Sequence, residues 1–170
     1  PPPRRYDPMS IIAQGAYGTV CQADDREGGR LVAIKQVRNL TQSLEDCKRT
    51  LRELSILRQL DHDCVVRLYD VFLPRGAIQL REVFIVMEIC DSDMKKLIES
   101  DVTLHMDHLR HMLYNLLKGL RYLGSAGVIH RDLKPGNVLV NQNCSVKICD
   151  FNLACVVDEG TGDANAVLDE

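Results

Sequence analysis

Apolar positions change their spacing along this 170-residue chain. From Ser10 to Asp24 apolar and small residues mix, broken by Gly15 and Gly18, and Glu27-Gly28-Gly29-Arg30 separates that run from Leu31–Val37. Short apolar runs between glycine-rich turns predict strands joined as a hairpin. From Thr41 to Leu60 the period lengthens. Leu44, Cys47, Leu51, Leu54, Leu57 and Leu60 recur at steps of three and four, the stripe of an amphipathic helix. Ser43 followed by Asp46 resembles a capping box at its start. Two more strands are predicted near Val65–Phe72 and Glu82–Met87, with Pro74-Arg75-Gly76 opening the loop between them.

After residue 88 the pattern is helical. Asp93–Glu99 predicts a short helix and His105–Ala126 a long one. The long helix gathers Leu109, Met112, Leu113, Leu116, Leu117, Leu120 and Leu123 on one face, and Gly127 suits its C-terminal stop. Val138–Val140 and Val146–Ile148 flank Asn141-Gln142-Asn143 as a small hairpin. There is no internal repeat. The order is a strand-rich lobe with one helix, a connector, then a helical lobe that looks unfinished.

Composition narrows the class. At 45% apolar and 26% charged the chain is globular. Its formal charge is −3, and the last 20 residues hold Asp158, Glu159, Asp163, Asp169 and Glu170 with no Lys or Arg. The rest has no excess of base that would mark a nucleic-acid surface, and the acidic tail is expected to be solvated and disordered. Seven scattered cysteines, none as C-x-x-C, argue for free thiols in a reducing compartment. No apolar run reaches the length of a membrane span. Cytoplasm or nucleus is the default location.

The chemistry lies in four segments. His130-Arg131-Asp132-Leu133-Lys134-Pro135-Gly136-Asn137 fits H-R-D-L-x-x-x-N at every specified position. In phosphoryl transfer such an acid accepts the proton of the attacking hydroxyl, and the amide five residues on holds magnesium. Lys134 would sit near the transferred phosphate. Asp150-Phe151-Asn152 follows, with a second metal-holding acid but Asn where D-F-G has glycine. Gly15-Ala16-Tyr17-Gly18-Thr19-Val20 fits the later part of a glycine-rich phosphate loop, or an ordinary hairpin tip. Ala13 stands where that loop's first glycine would be. At a positive φ it costs on the order of 1 kcal/mol, and on extended backbone little. Val32-Ala33-Ile34-Lys35 places a lysine on a strand, as an edge residue snorkelling to water or as a phosphate ligand. Glu53 shares a helix face with Leu57 and needs a partner there, for which Lys35 is the natural candidate. Arg131 could receive a phosphate on a later loop, or pair with any nearby acid. Cys90 and Cys149 read as inert thiols that the nucleotide pocket could still reach.

AQGAYGTV, VAIK, HRDLKPGN and DFN, in that order, resemble the eukaryotic protein kinases. GAYGTV, CKRTLREL, VFIVMEICDSDMKKLI and YNLLKGLRYLGSAGVIHRDLKP resemble the mitogen-activated protein (MAP) kinases among them. The resemblance implies an α+β bilobal fold: a complete N-lobe at residues 10–88 and a partial helical C-lobe at 89–157, between tails at 1–9 and 158–170. It implies ATP and Mg2+ as cofactors, and a serine/threonine kinase with a protein hydroxyl as substrate and an upstream activating kinase. Neither a nucleic-acid nor a membrane partner is expected.

The resemblance also implies residue roles. Lys35, Glu53, Asp132 and Lys134 would be catalytic, and Asn137 and Asp150 would hold the metal. The loop from Ile12 through Ala13, Gln14, Gly15, Ala16, Tyr17, Gly18 and Thr19 to Val20 would cover the nucleotide. Ile12, Val20, Ala33 and Leu139 would sandwich adenine, Met87 would guard the pocket behind it, Glu88 and Cys90 would bond the base through backbone, and Asp93 the ribose. Leu57, Leu68, His130 and Phe151 would form a stacked hydrophobic column.

Departures are Ala13, Asn152, Gly124 for a usual His, and Cys155 for a frequent Arg, with no T-x-Y or A-P-E after Asp150. The helix at 105–126 is therefore expected to turn apolar residues to water. Asn tolerates left-handed backbone best among non-glycine residues, so Asp150 is expected still to reach the metal, and Asn152→Gly to raise the transfer rate. Two alternatives stand beside the kinase: a nucleotide-binding scaffold that transfers nothing, and an inactive truncated product.

Overall fold

The structure, a computed structural model, describes residues 5–15, 18–38, 40, 43–74 and 81–157. Ala16 and Tyr17, the Arg75-Gly76 part of the predicted loop, and the acidic tail 158–170 lie outside the described residues. The chain groups into two units, Pro1–Lys48 with Arg67–Ile89, and Arg49–Val66 with Cys90–Glu170. Within the second unit Ile148 N–H donates to Cys64 O at 2.8 Å and Val66 N–H to Ile148 O at 2.9 Å.

The first unit holds one antiparallel five-stranded sheet in the order β1-β2-β3-β5-β4. Its strands are β1 (Tyr6–Gly15), β2 (Gly18–Asp25), β3 (Arg30–Arg38), β4 (Leu68–Phe72) and β5 (Glu82–Glu88). β1 begins at Tyr6 rather than at the expected Ser10. The tyrosine is buried, its hydroxyl donates to Asp70 Oδ2 at 2.8 Å, and its ring stacks 5.7 Å from Phe72. Pro8 is tolerated because β1 is an edge strand with a register shift between Pro8 and Ser10. Just before β1, Arg5 reaches both carboxylate oxygens of Asp25, Nε at 2.6 Å and Nη2 at 2.8 Å. Asp25 is fully buried and also accepts Gly28 N–H at 3.0 Å in the turn after β2. That bidentate pair ties the start of β1 to the β2–β3 turn. Tyr6, Ala23, Val32, Ile34 and Val86 form the core of this unit.

α1 (Leu44–Leu57) crosses the boundary between the units. Ser43 Oγ accepts Asp46 N–H at 3.2 Å, as its capping pattern predicts. The buried face is Thr50, Glu53, Ile56 and Leu57. Leu44 and Leu51, counted on the apolar stripe by spacing alone, are exposed.

The second unit continues with β6 (Ser92–Asp93), α2 (Met94–Glu99), α3 (Met106–Ser125), β7 (Val128–Ile129), a 3-10 turn (Pro135–Asn137), β8 (Val138–Val140), β9 (Val146–Ile148) and β10 (Cys155–Val156). Gly127 ends α3 at φ +66°, and a Cβ there would meet Val157 O at 2.9 Å. β8 and β9 form the expected hairpin, with β6 added alongside β8. β7 pairs with β10, a contact of two residues each that no periodicity reveals. On α3, Met112 and Leu123 are buried while Leu109, Leu113 and Leu117 are exposed. Met112 packs with Val138, Val140 and Val146, and the half-buried Leu116 lies against them. The outer ones present the apolar surface that the sequence pattern anticipates.

Candidate active site

The loop from β7 to β8 puts an acid, a lysine and an amide in mutual contact. Lys134 Nζ donates to Asp132 Oδ2 at 2.7 Å. Asn137 Nδ2 donates to the same oxygen at 3.0 Å and to Asp132 O at 2.9 Å. The 3-10 turn makes this possible: Asn137 N–H bonds Lys134 O at 2.9 Å, which folds Asn137 back over Asp132. Asn137 is buried. The Asp132 carboxyl lies below its usual range, chiefly because Lys134 hydrogen-bonds the anion; burial opposes this and Asn137 adds to it. Asp132 is therefore ionised at neutral pH and has an orientation set from two sides.

His130 fixes the frame behind this acid. Its Nε2 donates to Cys149 O at 2.9 Å, and a carbonyl only accepts, so the proton sits on Nε2. Nδ1 then accepts Asp132 N–H at 3.3 Å. The buried His130 ring lies 4.9 Å from Phe151, which is fully buried. Leu57 is buried in the same unit, whereas Leu68, the fourth residue of the expected column, lies in the first unit.

Two residues here have left-handed backbone: Arg131 at φ +62° and Asp150 at +67°. Asn152 does not, so it carries no strain that glycine would relieve. Asp150 itself is held in place from neighbouring peptides. Cys149 N–H donates to Asn137 O at 3.0 Å, Arg52 Nη1 to Asn152 O at 3.2 Å, and Arg131 Nε to Leu153 O at 2.6 Å. Arg131 is thus engaged with backbone carbonyls. The sequence did not single out Arg52; its signal lay in CKRTLREL, one residue before Glu53.

The first unit carries the remaining candidates. β1 and β2 face each other as Ala13 opposite Val20 and Gln14 opposite Thr19. Ala13 is extended strand, the conformation in which an alanine costs little. Ile12 is exposed on β1. Gly18 is irreplaceable by geometry: φ is +144°, and a Cβ would lie 1.7 Å from Gln36 O. Lys35 sits on β3, between β2 and β5, opposite Val20 and Ile85. A central strand excludes the edge-residue reading. Ala33, buried, lies opposite Met87. Glu88 N–H donates to Arg67 O at 2.9 Å, so a bond from Glu88 to a base would use its carbonyl.

In the second unit Asp93 and Leu139 are cross-strand neighbours. Asp93 Oδ1 caps α2 by accepting Lys96 N–H at 2.9 Å. Glu53 is buried on α1, and Cys90 and Cys149 are half-buried.

The oxygen donors suit a hard cation. With Asn137 Nδ2 spent on Asp132, its amide oxygen is the ligating atom left to it, and Asp150 supplies a carboxylate.

The family model for the protein kinase domain matches residues 6–168. Over 150 residues, 88% of the chain, it is 47% identical to mitogen-activated protein kinase 7 from Arabidopsis thaliana and covers 41% of that protein. The same identity and shares hold for mitogen-activated protein kinase 4 from Oryza sativa subsp. japonica. It is 44% identical to extracellular signal-regulated kinase 1 from Dictyostelium discoideum over 92% of the chain and 30% of that protein. The chain thus spans about two fifths or less of these relatives.

Proposed function

The chain belongs to the protein kinase family, and we propose that it binds ATP with magnesium and transfers the γ-phosphate to a serine or threonine hydroxyl of a protein, in the manner of the MAP kinases it resembles. The observation that carries this reading is the Asp132 carboxylate, kept ionised and aimed by Lys134 and Asn137. A carboxylate of lowered basicity orients an alcohol rather than stripping its proton early, which suits a loose phosphoryl-transfer transition state. Lys134, a cation beside that acid, would face the phosphate being transferred.

Asn137 and Asp150 would hold magnesium, which would neutralise charge developing on the phosphate. Lys35, which Glu53 would orient, would reach the α- and β-phosphates under the Gly15–Val20 segment. Ile12, Val20, Ala33 and Leu139 would enclose adenine beside Met87, with the Glu88 carbonyl and the Cys90 backbone on its polar edge. Asp93 would meet the ribose while capping α2. An upstream kinase as activator, and a cytoplasmic or nuclear location, complete the proposal.

The test is ligand linkage. ATP with magnesium at about 100 times Kd should stabilise the chain by about 2.7 kcal/mol, read as a rise in Tm. Asp150→Asn should remove the magnesium-dependent part of that rise. No shift at millimolar ATP sinks the reading. A shift without transfer to a generic protein substrate leaves nucleotide binding standing and removes the transferase.

A further inference from the structure

Asp150 stands in a conformation that few non-glycine residues adopt, at φ +67°. Such backbone is strained and persists only where its surroundings over-determine it. The surroundings are visible on both sides. Before Asp150, the Cys149 peptide is held twice, its carbonyl by His130 Nε2 at 2.9 Å and its N–H by Asn137 O at 3.0 Å. Phe151 is fully buried. After it, the Asn152 carbonyl receives Arg52 Nη1 at 3.2 Å. Arg131 takes the next carbonyl, Leu153 O, at 2.6 Å.

Arg131 and His130 belong to the loop that carries Asp132, so their hold on this turn is local to that loop. Arg52 differs. It comes from α1, one hundred residues away, and its Nη1 donates to Asn152 O. A guanidinium on a carbonyl makes a charge-assisted bond, stronger than a neutral one. The Asn152 side chain adds nothing to this hold: its Oδ1 is buried with no hydrogen-bond partner among the described residues. What Arg52 grips is backbone.

We propose that Arg52 is a positioning residue for Asp150: by holding the Asn152 carbonyl it keeps the strained turn in the one state that directs the Asp150 carboxylate to magnesium. The proposal rests on the reading of Asp150 as a magnesium ligand. The residue acts through the peptide and touches neither nucleotide nor metal. Loss of a group that orients a metal ligand typically lowers metal affinity about 10- to 100-fold.

The experiment is a magnesium titration of the ATP-induced rise in Tm, on the full 170-residue chain. In Arg52→Ala the magnesium midpoint should rise about tenfold, while the smaller shift given by ATP with a chelator stays as in the unmodified chain. Alanine is the strongest helix former, so α1 should persist in that variant. Arg52→Lys keeps the charge without the planar fork, and its midpoint should fall between the two. Hydrogen exchange at residues 150–154, read without nucleotide, should quicken in Arg52→Ala and not elsewhere on β8 and β9. An unmodified chain that shows no magnesium increment overturns the magnesium reading and the proposal with it. An increment that is present, with the same midpoint in Arg52→Ala and Arg52→Lys, overturns the role of Arg52 alone.

Discussion

Single residues decide whether the departures from the kinase pattern matter. Asn152 stands where glycine is expected, and only its backbone could tell whether that hurts. Its φ is not left-handed, so the expected gain in transfer rate from Asn152→Gly loses its physical basis. The variant should instead be about 0.4–1 kcal/mol less stable, through added freedom of the unfolded chain, with no faster transfer; chemical denaturation and a single-turnover assay would check both. Gly18 is the opposite case. Gly18→Ala forces a Cβ against Gln36 O and should cost on the order of 1–3 kcal/mol, seen as a lowered Tm. Asp25 makes a pH prediction. Arg5 bonds the anion and, with Gly28 N–H assisting against burial, holds its carboxyl well below the ordinary value. A depressed folded pKa stabilises above the unfolded value near 4, and this stability is lost as pH falls below it. Asp25→Asn should therefore flatten the acid limb of a plot of Tm against pH between roughly 5 and 2. An unchanged slope would assign acid sensitivity to other carboxyls.

Elements show where spacing is a sufficient guide and where it is not. The stripe on α3 is real, but it is split by depth. Leu123 is 2% exposed and Leu117 56%. Leu123→Ala should cost about 2–5 kcal/mol by leaving a cavity. Leu117→Ser should change stability by no more than about 0.5 kcal/mol and should improve solubility. Equal effects in urea titrations would mean that the outer face is covered in solution. On α1 the same logic places Glu53 inside and Leu51 outside. An acid buried in place of a leucine is the pattern expected of a site rather than of a plain core helix. The strands tell a simpler story. β3 and β5 are mostly apolar and central, whereas β1 tolerates Pro8 because it is an edge.

For the molecule as a whole, the two units carry different parts of one signature. The first holds the glycine segment and Lys35; the second holds Glu53, Asp132, Asn137 and Asp150. Family membership follows from a match to residues 6–168, while the relatives are more than twice as long as the part this chain matches. The prediction at this scale is the thermal response to ATP with magnesium, since a ligand that binds only the folded chain stabilises it by RT ln(1 + [L]/Kd).

The sequence by itself determined the family, the main helices and strands, and the short spacing that brings Asp132 and Asn137 together. Those depend on residue types at short spacings: Asp132 and Asn137 are five apart, and a 3-10 turn between them is enough to bring them together. The Asn141-Gln142-Asn143 turn and three-and-four spacing likewise made the β8–β9 hairpin and α3 legible. Tertiary structure alone decided what depends on long-range contact or on a dihedral. It started β1 at Tyr6, because Asp70 and Phe72 lie across the sheet from it. It joined Ile148 to both Cys64 and Val66 through backbone bonds. It made Lys35 a central-strand residue, cleared Asn152 of strain, and brought Arg52 to a carbonyl one hundred residues away. Local pattern encodes periodicity and turn chemistry; pairing partners and backbone angles follow from the packed whole.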